Sequence, residues 1–144
     1  MTLTRYISAP RELVFEAWTN PEHLLHWWGP RGFRNTFHEF DMRPGGVWRF
    51  TMHGPDGVGY ANHVVFGEVV EPESITYSHH AEHGTAVELF DVRVLFAAEN
   101  SGTRLTLEMT FPTPEALRAA VEDIGAIEGG HSTLERLAEY VATM

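Results

Sequence analysis

The C-terminal stretch from Ala126 to Met144 constrains the fold more than any other part of the sequence. Its apolar residues recur at the spacing of one α-helical face: Leu134, Leu137, Ala138 and Val141. The helix therefore has one apolar surface to bury. Because most of the chain ahead of it has the pattern of β-strands, we predict that this helix lies against a sheet. A long helix that closes over a curved sheet leaves room for a cavity, and we expect the function to lie there.

Alternating apolar and polar residues predict antiparallel strands at 3–7, 33–40, 47–53, 58–70, 75–80, 87–97 and 103–111. Two short helices follow the first strand, from Pro10 to about Trp18 and from Glu22 to about Trp28. Asn20 and Thr113 each precede a proline, the pattern of an N-cap followed by a first helical residue. Thr113 therefore begins another helix, which runs to about Asp123. This order predicts an α+β fold in a single domain over residues 1–144.

Composition excludes several classes of function. The chain of 144 residues has no cysteine, which excludes disulfides, thiolate catalysis and zinc–thiolate sites. All ten basic residues are arginine, so a Schiff-base or phosphate-loop lysine is excluded as well. The net charge of −10 opposes binding to nucleic acid or to an anionic membrane. No apolar run is long enough to span a bilayer and no signal-peptide pattern begins the sequence, so we expect a cytoplasmic protein.

Several segments together resemble a known family. They are SAPRELVF at 8–15, AWT at 17–19, WWGP at 27–30, DxRxGG at 41–46, GPDG at 54–57 and LERLAEY at 134–140. With these motifs the chain resembles the activator-of-Hsp90-ATPase-like family, within the helix-grip superfamily of START-related and Bet v 1-like domains. The resemblance implies a curved antiparallel sheet wrapped around a long C-terminal helix. It also implies either a chaperone partner or a small bound molecule, and it transfers no catalytic residues.

Three residues on one face of the strand at 47–53 are the strongest candidates for a cavity wall: Trp48, Phe50 and Met52. Further apolar lining is expected from Tyr77, Phe90, Met109 and Leu134. If the GPDG turn pairs His53 with Val58, His63 lies opposite Trp48 on the same side. His63, His79 and His131 are then the candidate polar anchors. The alternative is ordinary core packing without a cavity.

Two further motifs each allow a structural and a functional interpretation. Trp27-Trp28-Gly29-Pro30 either packs its indoles on the sheet or forms an aromatic wall beside a cavity, and we favour the first. Asp41 and Arg43 flank a turn and are more typical of a pair that fixes a loop than of a substrate site.

His79, His80 and His83 are dense enough to suggest a metal. However, neighbouring strand residues point to opposite faces, so we predict no metal site. Gly129 and Gly130 either separate two helices or leave room for a ligand beneath the sheet, and we favour the latter. His131 would then point the same way as Leu134.

No pair of nucleophile and base stands out in the sequence, and no cofactor motif is present. The leading hypothesis is a binding protein for a small hydrophobic or aromatic molecule, held between the sheet and the C-terminal helix. A protein-interaction module that uses the acidic exterior is the second hypothesis. A cyclase or hydrolase with an inward histidine is the third. Formation of a homodimer stays open.

Overall fold

The computed structural model describes residues 1–80 and 90–144. Within these residues, seven strands form one antiparallel sheet: β1 (Thr2–Ile7), β2 (Arg34–Phe40), β3 (Val47–His53), β4 (Gly59–Val70), β5 (Ser74–His80), β6 (Phe90–Glu99) and β7 (Gly102–Thr110). The helices are α1 (Arg11–Thr19), α2 (Pro21–Trp27), α3 (Pro114–Glu122) and α4 (Ala126–Val141). The predicted helix-grip class is confirmed, with α4 packed across the sheet. The predicted strand start at Val87 lies outside the described residues.

Strand order in the sheet is β1-β7-β6-β5-β4-β3-β2, so each strand from β2 to β6 pairs with its successor and β7 pairs with β1. The register between β2 and β3 shifts between Phe37 and Glu39, where β2 carries a bulge. The extra residue turns Phe37 and Phe40 to the same side, and their ring centroids lie 5.4 and 5.8 Å from that of Trp48. Simple alternation, which puts these two rings on opposite faces, is therefore wrong at this bulge.

The hairpin between β3 and β4 differs by one residue from the predicted register. His53 pairs with Gly59 rather than with Val58, so Trp48 lies opposite Val64 and His63 lies opposite Arg49. Since side chains alternate along a strand, a shift of one residue moves each of them to the other face. The expectation that His63 faces the same side as Trp48 is wrong.

The two predicted caps, Asn20 and Thr113, are confirmed at the starts of α2 and α3. The side chain of Asn20 accepts a hydrogen bond of 3.0 Å from the main-chain nitrogen of Glu22, directly ahead of Pro21. The indole nitrogen of Trp27 donates to the carbonyl of Ala17 at 3.0 Å, which fixes α2 against α1. Trp27 is 1% exposed and is therefore part of the core.

α4 runs without a break through Gly129 and Gly130, so the two glycines do not separate two helices. Its apolar face is the one predicted, with Leu134, Leu137 and Val141 buried. A Cβ at Gly130 would overlap the side chain of Leu3, so this glycine allows α4 to approach β1 closely. No helix in the described ranges is long and apolar enough to cross a membrane.

Candidate functional site: a cavity between the sheet and the C-terminal helix

A cavity of about 250 Å³ lies between α4 and the inner face of the sheet. Its aromatic lining consists of Trp18, Trp28, Phe50, Tyr77, His79 and Phe90. The aliphatic and sulfur-containing lining consists of Pro30, Met52, Val92, Leu107, Met109, Ile124 and Ala126. Asn62 and Thr133 add polar atoms, and Gly29, Gly125, Gly129 and Gly130 add main chain alone.

The structure brings most of the candidate residues from the sequence together at this cavity: Phe50, Met52, Tyr77, His79, Phe90 and Met109. Trp48 and Leu134 are buried in the adjoining core, at 1% and 0% exposure, and do not line it. His63 lies on the opposite face of the sheet, where its ring is 5.7 Å from that of His80. His131 is exposed on α4, so the expectation that it points the same way as the buried Leu134 is wrong.

The two tryptophans of the WWGP segment have different positions, although they are adjacent in sequence. Trp27 packs between α1 and α2, whereas Trp28 lines the cavity together with Gly29 and Pro30. The interpretation as core packing therefore applies to Trp27, and the interpretation as an aromatic wall applies to Trp28. The helix ends at Trp27, and Trp28 has an extended main chain, with φ −63° and ψ 138°. That change of conformation turns the second ring to the cavity.

Asn62 is a cavity residue that the sequence pattern missed. The predicted register of β3 and β4 puts it on the outer face, and the observed register pairs it with Phe50 on the inner one. Its side-chain nitrogen donates to the carbonyl of Tyr60 at 2.9 Å, which leaves its oxygen as an acceptor. That oxygen lies 2.9 Å from Nε2 of His79.

This pairing determines the tautomer of His79. An amide oxygen only accepts, so Nε2 of His79 carries the proton and Nδ1 presents a lone pair. Nδ1 is buried, and among the described residues it has no hydrogen-bond partner. Burial, with smaller contributions from the charges of His80 and His63, lowers the pKa of His79 from 6.5 to about 4. The imidazole is therefore neutral at pH 7, with an acceptor atom unused.

Tyr77 precedes His79 by two residues on β5 and shares its face. The side chain is buried, and within the described chain no hydrogen bond to its hydroxyl is found. Burial raises the pKa of Tyr77 far above its usual value, so the hydroxyl stays protonated and can donate. Tyr77 and His79 thus provide a donor and an acceptor side by side on an apolar wall.

A second cavity adjoins the first one beneath α3. It has a volume of about 480 Å³ and shares Phe90, Met109, Ile124 and Ala126 with the central cavity. Its remaining lining is mostly the inner face of α3: Ala116, Ala119 and Ala120, with Glu115, Thr113 and Phe111 beside them. These four shared residues form the wall between the two cavities.

The polar groups on the outer face of the sheet are arranged differently. Ser78 donates a hydrogen bond of 2.7 Å to Asp91 across β5 and β6. His80 lies on the same face, but among residues 1–80 and 90–144 it makes no hydrogen bond to Ser78. In those ranges no group of three or more histidine and acidic side chains is placed to hold a metal ion. His83, the third histidine of the cluster, lies outside them.

Asp41 and Arg43 form the ion pair that their turn position indicates. Nε of Arg43 donates to the Asp41 carboxylate at 2.6 Å, and both side chains are exposed. The pair bridges the turn between β2 and β3 and lies outside the cavity lining. The interpretation that this pair fixes the turn therefore accounts for both residues.

Known proteins share this fold and parts of this sequence. The family model described as Activator of Hsp90 ATPase homolog 1-like protein matches residues 8–142. A crystal structure of a Mycobacterium smegmatis protein is 30% identical, with a TM-score of 0.86 over 96% of this chain and 87% of the other. A Nitrosomonas europaea protein is 25% identical, with a TM-score of 0.84 over 99% and 94%. An Arthrobacter aurescens protein, at 23% identity, shares the fold with a TM-score of 0.90 over 99% and 86%. No curated protein matches.

Proposed function

For this chain, which belongs to the Activator of Hsp90 ATPase homolog 1-like family, we propose a binding function for a small hydrophobic or aromatic molecule. The molecule lies in the cavity between α4 and the inner face of the sheet. The observation that carries this proposal is the lining itself. Five aromatic rings besides the imidazole surround about 250 Å³ of space, and ligand sites are typically concave, apolar and equipped with a few polar groups.

The glycines of α4 support the proposal from the helix side. A Cβ at Gly129 would meet only the side chain of Pro30, at 3.6 Å, so the helix has room for a side chain that it does not carry. Glycine in the interior of a helix costs about 1 kcal/mol relative to alanine. Gly130 is explained by the close approach of Leu3, whereas Gly129 has no such packing reason. A bound molecule would use the space that Gly129 leaves open.

Two measurements test this function. Native mass spectrometry of the protein purified from its own source should show a reproducible additional mass, which identifies the ligand. In equilibrium dialysis, naphthalene should bind to the recombinant chain at one site. Absence of both signals from the folded protein would refute the proposal.

A matched pair of variants tests the location. Gly129→Leu places an isobutyl group in the cavity, and naphthalene affinity should fall roughly tenfold or more because that group takes up space that the ligand needs. His131→Leu adds the same group two residues away on the exposed side of α4 and should leave affinity unchanged. Equal affinities for both variants would place the site elsewhere.

A further inference from the structure

We infer that the ligand is an uncharged aromatic alcohol of about ten non-hydrogen atoms, held by its hydroxyl at Tyr77 and His79. This inference rests on the proposed binding function and specifies its ligand class. Three features of the cavity support it: its size, the arrangement of its polar atoms, and the charge of its lining.

The size of the cavity limits the ring system. A dry cavity of about 150 Å³ lined by aliphatic and aromatic side chains holds one benzene molecule. By proportion, the space of about 250 Å³ here accommodates two fused rings or one ring with a short substituent. The sulfur atoms of Met52 and Met109 and the ring of Phe90 provide apolar contacts for such a planar molecule.

The polar atoms require a group that both donates and accepts. Within residues 1–80 and 90–144 the Tyr77 hydroxyl has no hydrogen-bond partner and is free to donate. In the same ranges His79 has an acceptor without a partner at Nδ1, because Asn62 occupies its Nε2. A hydroxyl group has one donor and two acceptor lone pairs, so it can serve both side chains. A ketone or ether would satisfy only Tyr77, and a purely apolar ring would satisfy neither. Buried polar groups without partners are unfavourable, which favours the alcohol.

The lining also discriminates by charge. Among the described residues that surround the cavity, none is arginine, aspartate or glutamate, and the low pKa of His79 keeps that side chain neutral. A carboxylate ligand would be transferred from water to this site without a cation to pair with it. The negative net charge of the protein adds to that penalty. Uncharged ligands are therefore favoured over acids of the same shape.

A series of three bicyclic probes tests the inference by equilibrium dialysis at pH 7: 2-naphthol, naphthalene and 2-naphthoate. We expect 2-naphthol to bind roughly five to ten times more tightly than naphthalene, the usual net effect of one hydrogen bond. We expect 2-naphthoate to bind more weakly than either. Equal binding of 2-naphthol and naphthalene, or a preference for 2-naphthoate, overturns the inference and leaves the proposed function standing. Binding of none of the three overturns the inference and, together with the absence of an additional mass in native mass spectrometry, refutes the proposed function as well.

Variants of Tyr77 and His79 test whether these two side chains cause the preference for 2-naphthol over naphthalene. Tyr77→Phe keeps the buried ring and removes its hydroxyl, so the advantage of 2-naphthol over naphthalene should shrink about fivefold while naphthalene affinity stays constant. Tyr6→Phe is the control, because its hydroxyl donates to the carbonyl of Asn100 outside the cavity. His79→Phe should reduce the same advantage by removing the Nδ1 acceptor. An undiminished preference for 2-naphthol in both Tyr77→Phe and His79→Phe would contradict the assignment.

Discussion

The guanidinium of Arg136 donates a hydrogen bond of 2.9 Å to the main-chain carbonyl of Gly29. The same side chain reaches the carbonyl of His26 at 3.1 Å, and those of Trp28 and Pro30 at 3.2 and 3.1 Å. The carbonyl of His26 lies in the last turn of α2 and the other three follow the helix end, where no further helical turn supplies donors. Arg136 thus joins α4 to the segment that supplies Trp28 to the cavity wall.

Arg136→Lys should destabilise the fold, because a single ammonium group cannot serve carbonyls that a planar guanidinium reaches together. We expect a loss of about 1–2 kcal/mol in the free energy of unfolding, measured by urea denaturation. Arg31→Lys is the control, since Arg31 pairs with Glu135 and Glu139 at the surface and should change stability much less. Equal losses in the two variants would contradict this role for Arg136.

Alanine at the two helical glycines should have opposite effects. Gly129→Ala adds a methyl group at ordinary contact distance from Pro30 and removes the unfavourable helix propensity of glycine, so stability should rise by up to about 1 kcal/mol. Gly130→Ala forces the buried Leu3 to move, and such overpacking costs about 1–3 kcal/mol. Thermal denaturation of both variants checks the order. A more stable Gly130→Ala variant would show that Leu3 relaxes freely.

The neutral state of His79 makes stability depend on pH. Its pKa is about 4 in the fold and 6.5 in a model peptide. Between these values the unfolded chain binds a proton that the native state does not, so the free energy of unfolding falls as the pH is lowered through this window. The contribution is fully retained above pH 6.5, and the loss reaches roughly 3 kcal/mol near pH 4.

The comparison variant for this pH dependence is His79→Phe. Subtracting its denaturation curve from that of the unaltered protein cancels the contributions of the other histidines, and the difference should change between pH 6.5 and 4. A difference that is constant with pH would mean that His79 takes up a proton in the native state as readily as in the unfolded chain.

The hydroxyl group of Thr103 should contribute to the stability of the fold. It is fully buried, and its oxygen donates to the carbonyl of Ala9 at 2.8 Å. Thr103→Val keeps the shape and leaves that carbonyl without its partner, which should cost about 1–3 kcal/mol. Thr4→Val, on an exposed position of β1, is the matched control and should have little effect in the same urea titration. A loss at Thr4 as large as that at Thr103 would contradict the argument.

Much of this fold follows from local patterns in the sequence. The alternation at 47–53 locates β3 to the residue, and the helical spacing of Leu134, Leu137 and Val141 identifies the buried face of α4. The exceptions depend on single residues. The bulge at Phe37 and the turn that pairs His53 with Gly59 each shift the register by one position, and alternation alone does not reveal such shifts.

The apolar part of the cavity was predictable in outline, whereas of the three candidate polar anchors only His79 lines it. Aromatic residues and methionine on the inner faces pointed to an apolar space. The role of Asn62 depends on the register of the hairpin, and the separation of Trp27 from Trp28 depends on where α2 ends. His131 does not line the cavity. Three residues along a helix leave two side chains about 60° apart around the axis, so Leu134 can lie in the buried face while His131 lies outside it.

The position of β1 at the edge of the sheet has a consequence for the order of folding. Every other neighbouring pair of strands is consecutive in sequence, whereas β1 joins β7 across roughly a hundred residues. Closing so long a loop costs more chain entropy than forming a hairpin, so we expect β1 to dock late, after the transition state. The contact of Gly130 with Leu3 then forms late as well. Gly130→Ala, which crowds this contact, should therefore accelerate unfolding and leave the refolding rate nearly unchanged.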